Sequence, residues 1–148
     1  MPFDPRVHVG VGACIIDPVG LGRLLMIERK GAHGEGQWSI IGGWVDHGET
    51  PEEAVLRELR EEVGLYSPPG SPLYLGNTTH VFDEPVDHAL TLFYQIKARF
   101  FWHPQIMEPD KIARIEWVPF HIVRDLNLFP PFEKFLNQGY RWDTVNLF

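Results

Sequence analysis

One residue of the 148 is a cysteine, and it stands alone at position 14 inside an apolar stretch. A lone thiol forms no intramolecular disulfide, so stability has to come from a packed core, and Cys14 reads as part of that core rather than as a nucleophile. Basic residues are scarce as well. With 13 Lys and Arg against 20 Asp and Glu, the formal charge is −7, and no basic stripe is present to neutralise the phosphates of a nucleic-acid polymer. Small polyphosphates stay compatible with that charge where metal ions carry the positive share. No apolar run approaches membrane length, and MPFDPRVH lacks the charged-then-apolar layout of a signal peptide, so a cytoplasmic protein without a membrane partner is expected. Internal repeats and low-complexity segments are missing too. At 44% hydrophobic the chain is not disordered, and its length suits one domain spanning 1–148 with a sizeable core.

The order of segments is α/β. Val7–Ile16 reads as a strand interrupted by Gly10 and Gly12, where a bulge or a close ligand fits. Asp17–Gly22 is a turn, Arg23–Arg29 a strand, Lys30–Gly36 a loop and Gln37–Ile41 a short strand. Ser67–Pro72 is a break. Leu73–Phe82 and His88–Phe101 form a hairpin pair joined through Asp83–Asp87, and Ile115–Val118 is a short strand. His121–Asp125 and Phe132–Asn137 are helix candidates, with Pro130 and Pro131 breaking the chain between them.

The densest chemistry lies in 43–65, GWVDHGETPEEAVLRELREEVGL. Thr50 is a good N-cap, Pro51 suits the first helical position, and Glu53 three residues after Thr50 completes a capping box. A helix is expected over Pro51–Val63, with Gly64 as the left-handed residue that ends it. At roughly 100° per residue, Val55, Leu56, Leu59 and Val63 share one face. Glu58, Glu61 and Glu62 share another, with Arg57 beside it. The i,i+4 pair Glu58–Glu62 repels by about a few tenths of a kcal/mol. A cation reverses that penalty, and oxygen-only ligands favour magnesium or manganese. Gly42 and Gly43 let the backbone approach a ligand closely. An acidic, solvated helix face bridged by Arg57 and Arg60 is the plain alternative.

Gly43, Glu49, Arg57, Glu58, Leu59, Glu61, Glu62, Gly64 and Leu65 fill every defined position of the Nudix box, and the chain resembles the Nudix hydrolases. The resemblance implies an α/β/α sandwich with a mixed central sheet. It also implies magnesium- or manganese-dependent cleavage of a nucleoside diphosphate linked to another group. It places Glu58, Glu62 and the Gly42 carbonyl on the metal, with Glu61 in or next to that shell, and Glu58 or Glu61 as the base. Glu49 and Arg57 become architectural partners of the site. Ile41 stands where many relatives have proline before the two glycines, which is expected to alter loop rigidity rather than metal binding.

Outside the box, the segments Glu108–Phe120 and Leu128–Tyr140 are similar to MutT-type nucleoside-triphosphate diphosphatases. That similarity implies release of pyrophosphate from a triphosphate, with a base pocket involving Phe129. Pro130 and Pro131 follow Phe129 and donate no backbone hydrogen bond, which departs from a guanine-type contact. Where the ADP-ribose branch places a proline this chain has His80 and Val81, and where the dinucleoside-polyphosphate branch tends to place a tyrosine it has Phe82. The candidate substrate residues are Arg29, Trp38, Gly43, Asn77, Thr79 and Phe129, with His8 and Gly10 on the first strand. Arg29 suits bidentate phosphate contact. Lys30 and His33 lie near it, and His47 reads as a loop residue. Glu84, Glu108 and Asp110 are late acids open to metal or base roles. A diphosphatase for a nucleoside diphosphate linked to a sugar or other small group is the second reading, and a non-catalytic nucleotide sensor is the third. Tyr140, Trp142 and Phe148 are expected as exposed aromatics of a homodimer.

Overall fold

A mixed seven-stranded sheet forms the centre of the computed structural model, which describes residues 6–31, 33–83 and 86–140. The strands are β1 (His8–Ile16), β2 (Arg23–Arg29), β3 (Trp38–Ser39), β4 (Ile41–Trp44), β5 (Leu73–Asp83), β6 (Val86–Lys97) and β7 (Ile112–Pro119). The helices are α1 (Pro51–Val63), α2 (Phe120–Val123) and α3 (Pro130–Asn137). The main path runs β3-β2-β1-β6-β5, with β4 on β1 and β7 on β2. β1 and β6 are parallel along their whole length, from His8 opposite Ala89 to Ile16 opposite Lys97. The other pairs are antiparallel.

The apolar residues divide between two layers. Val11, Ala13, Ile15, Ile27 and Ile41 meet Val55, Leu59 and Val63 of α1 on one side. Cys14, Met26, Ile40 and Phe93 meet Phe132, Phe135 and Leu136 of α3 on the other. This is the α/β/α sandwich. β1 is buried from Gly10 to Ile16, which is why it carries small and aliphatic residues without the alternation of a one-sided strand. Cys14 is fully buried in this core, and burial pushes its thiol well above the ordinary range.

Several boundaries differ from the sequence reading: β6 ends at Lys97 rather than Phe101, β7 starts at Ile112 rather than Ile115, and α2 covers Phe120–Val123 rather than His121–Asp125. The single strand expected over Gln37–Ile41 is two: β3 pairs with β2, the chain crosses at Ile40, and β4 pairs with β1. A continuous apolar run does not show which neighbour each half will pair with. The prolines expected to separate the last helices instead open α3, at its first two positions. Those positions have no intrahelical partner for an N–H, so proline costs nothing there. Tyr140 also departs from expectation. It packs on Phe135 at 4.9 Å between ring centroids and its hydroxyl meets Gln95 Oε1 at 3.4 Å, so it is not an exposed docking aromatic. Trp142 and Phe148 lie outside the described residues.

Candidate active site

α1 begins and ends as its sequence dictates. Thr50 Oγ1 accepts from the Glu53 amide at 3.1 Å, Glu53 Oε2 accepts from the Thr50 amide at 3.4 Å, and Gly64 ends the helix at φ 71°. The helix is tied to the preceding loop by Arg57. Its guanidinium donates to both carboxylate oxygens of Glu49 at 2.8 and 3.0 Å, to Glu58 Oε1 at 2.8 Å, to Glu61 Oε2 at 3.1 Å and to the Trp44 carbonyl at 2.8 Å. Hydrogen bonding from Arg57 holds the Glu49 carboxyl below its ordinary value.

The acidic face is less solvated than helical spacing alone implies. Glu62 is 5% exposed and accepts from the Gly42 amide at 3.0 Å. Burial, together with the neighbouring charge of Glu58, pushes its carboxyl well up. Glu58, one turn before Glu62, is raised as well, chiefly by burial. The two glycines follow from this crowding. A Cβ at Gly42 would run into the carbonyl oxygen of Val11, and one at Gly43 would occupy the place of the Glu58 carboxylate.

Glu58 and Glu62 face a cavity of about 540 Å³ that Gly42, Gly43, Arg29, Glu108, Asp110 and Phe129 also line. The register of β2 on β7 shifts between Glu28 and Arg29, with the extra residue, Ala113, on β7, and such a bulge bends the strand that carries it. Arg29 lies over the Phe129 ring at 3.9 Å from its centroid, and its Nε donates to the His33 carbonyl at 3.0 Å. Burial lowers its pKa from the ordinary guanidinium value, and the charge of Glu62 opposes that shift. Among the late acids, Glu108 acts electrostatically on Glu62. The Met107 amide, donating to the Glu62 carbonyl at 3.0 Å, brings that loop against α1. Lys111 pairs with Glu108 at 3.4 Å. Glu84 lies outside the described residues.

Several sequence candidates fall elsewhere. Glu61 is half exposed and turned to Arg57, outside the described lining of the cavity. Trp38 is core, 9% exposed, with Arg114 over its ring at 4.9 Å. It reaches the site only through its backbone, whose carbonyl accepts from the Phe129 amide at 2.8 Å. Asn77 and Thr79 are exposed on β5, and their carbonyls accept from Gln138 and Lys134 of the α3 region at 3.0 and 3.2 Å. His47 is exposed, whereas Gly10, Lys30 and His33 line the cavity. His8 pairs with Asp87 at 2.9 Å.

Phe129 lines the cavity, with the Arg29 guanidinium over its ring and Phe82 stacked against it at 5.6 Å, 24° from parallel. The sequence reading passed over Phe82, Thr91, Phe93 and Lys111 as lining residues. The period-two alternation of Ala89, Thr91 and Phe93 was the signal for one face of β6. Nothing local announced that α3 would stand opposite it.

The donor set fits a divalent cation. Two crowded carboxylates with raised proton affinity are relieved by a positive charge, and every ligand is oxygen. Among the described residues no three His, Cys, Asp or Glu side chains are grouped to hold a metal by themselves. Backbone, water or substrate oxygens would have to complete the shell, which is the habit of magnesium.

A family model for the NUDIX domain matches residues 6–142. The chain is 34% identical to a MutT NUDIX hydrolase from Burkholderia pseudomallei, covering 76% of this chain and 83% of that one at a TM-score of 0.68. It also resembles the NUDIX domain of Shewanella oneidensis NrtR in complex with ADP ribose, with 20% identity, a TM-score of 0.74 and coverage of 93% and 91%. It is 25% identical over 126 residues to the NAD-capped RNA hydrolase NudC of Salmonella heidelberg (strain SL476), covering 85% of this chain and 45% of NudC. The chain thus spans less than half the length of that curated relative. It belongs to the Nudix hydrolase family, whose members act on pyrophosphate bonds.

Proposed function

We propose that this protein, as a single domain, hydrolyses a nucleoside triphosphate to the monophosphate and pyrophosphate with magnesium or manganese. The carrying observation is the placement of Glu58 and Glu62 on a cavity that three cations, Arg29, Lys30 and Lys111, also line. A chain of phosphates needs this alternation of metal-binding carboxylates and fixed positive charge. A homodimer in the cytoplasm remains part of the proposal.

Gly42, Glu58 and Glu62 would hold the ion, with Glu108 close by. When bound, a divalent ion neutralises phosphate oxygens and makes water more acidic. The other roles belong to the chain. Arg57 fixes the Glu58 carboxylate through a 2.8 Å hydrogen bond, leaving it oriented to take the proton of the attacking water. Glu58 is better placed for this than Glu61, which lies outside the cavity lining. Arg29 presents its terminal nitrogens to phosphate oxygens, where preorganised charge lowers the barrier. The apolar wall around Phe93 and Phe132 receives the base.

The test is product identity. Incubation with nucleoside triphosphates, oxidised analogues, ADP-ribose and capped RNA in ¹⁸O-labelled water, followed by mass analysis, should give monophosphate and pyrophosphate from a triphosphate. Primary release of orthophosphate overturns the diphosphatase reading. Turnover confined to ADP-ribose or to RNA ends moves the protein to the sugar-linked or RNA-end class. Binding without turnover makes it a sensor.

A further inference from the structure

The wall of the cavity formed by α3 has no backbone donor to offer a ligand. Its first two residues, Pro130 and Pro131, have no N–H. The next two amides, of Phe132 and Glu133, both turn back to the Phe129 carbonyl at 3.1 and 3.0 Å. The Pro131 carbonyl already accepts from Thr78 Oγ1 at 3.2 Å. A helix start that would ordinarily read a polar ligand edge is thereby silent. The facing wall made by β1 and β6 is apolar except at one hydroxyl. Thr91 lies on β6 beside Gly10 of β1 and opposite Thr78 of β5, two residues from Phe93, and it lines the cavity half-buried. Its hydroxyl makes no hydrogen bond among the described residues.

We infer that Thr91 is the residue that reads the polar edge of the nucleobase, in place of the backbone of α3. A hydroxyl both donates and accepts, so one side chain meets either a carbonyl or an amino substituent on a base. Sites of this kind combine a mostly apolar lining with few placed polar groups, and those few fix orientation and specificity. The inference rests on the nucleotide reading above and extends it to a specificity-determining residue.

Calorimetric titration of the wild type, Thr91→Val and Thr91→Ser tests it. The ligands are adenosine, guanosine, cytidine and uridine 5′-monophosphates, with ribose 5-phosphate as the base-less control, all in magnesium. Valine keeps the shape and removes the hydroxyl. It should weaken at least one nucleoside monophosphate roughly three- to tenfold, the scale of one neutral hydrogen bond. Ribose 5-phosphate should stay unchanged, and serine should restore the affinity. Equal weakening of ribose 5-phosphate, no weakening of any nucleotide, or wild-type binding of nucleotides no tighter than of ribose 5-phosphate overturns the inference. Melting temperatures of both variants separate a lost contact from a lost fold. Product analysis of the wild type on triphosphates is independent of these affinities, so failure of the diphosphatase reading is seen separately.

Discussion

The amide of Gly42 donates to Glu62 Oε1 at 3.0 Å, fastening the glycine loop to the buried carboxylate of the following helix. Loop and helix are therefore one unit.

The two glycines should fail differently. At Gly42 the obstacle to a Cβ is the Val11 backbone, which cannot step aside. Gly42→Ala should therefore destabilise the fold by ~1–3 kcal/mol, as overpacking does. At Gly43 the obstacle is the Glu58 carboxylate, a side chain that can move. Gly43→Ala should keep most of the melting temperature but lose ~10²-fold in turnover, the scale of misplacing a catalytic group by about 1 Å. Measuring stability and activity on both variants decides this; equal stability losses contradict it.

Glu62→Gln should separate stability from function. Glutamine retains an oxygen for the Gly42 amide and removes a buried charge whose desolvation opposes folding. The metal-free protein should melt no lower than wild type, while turnover at saturating magnesium falls ~10²-fold or more. Turnover within about threefold of wild type would remove Glu62 from the metal site.

Arg57 and Glu49 should show energetic coupling. A double-mutant cycle with Arg57→Ala and Glu49→Ala is expected to give ~0.5–3 kcal/mol, the range for groups sharing a hydrogen-bond network. The pH dependence follows from the lowered Glu49 carboxyl. Its folded value lies below the unfolded 4.5, so its stabilisation is present above 4.5 and is lost as pH falls through the folded value. Acid denaturation of Glu49→Gln should lack that part of the slope.

Tyr94 keeps its proton well into the alkaline range. Burial, with the carboxylate of Glu52 accepting its hydroxyl at 3.0 Å, pushes its phenol from 10.0 up to about 12. Folding favours the neutral form, so this contribution is fully present below pH 10 and is lost as pH rises through about 12. Ultraviolet titration should show late tyrosine steps from Tyr94 and from Tyr140, whose phenol burial also pushes up, and Tyr94→Phe should remove the earlier of them. Loss of no late step on that substitution would assign the shift elsewhere.

The sequence by itself determined what depends on near neighbours. Thr50, Pro51, Glu53 and Gly64 bound α1 because capping and left-handed backbone are local requirements. The resemblance to the Nudix box implied the partnership of Glu49 with Arg57, while helical spacing, which puts residues i and i+4 together, brought Glu58 and Glu62 close. Tertiary structure alone decided the environment of those groups. Glu62 is buried because β4 and the loop before Glu108 close over it, and no periodicity in α1 foretells that. Phe129 and Arg29, 100 residues apart in the chain, meet ring to guanidinium in the cavity wall. Thr91 acquired its place opposite two prolines through the parallel pairing of β1 with β6 and the docking of α3 on β5. Local chemistry is written in short spacings, whereas burial and the occupancy of a ring face depend on which distant segments arrive.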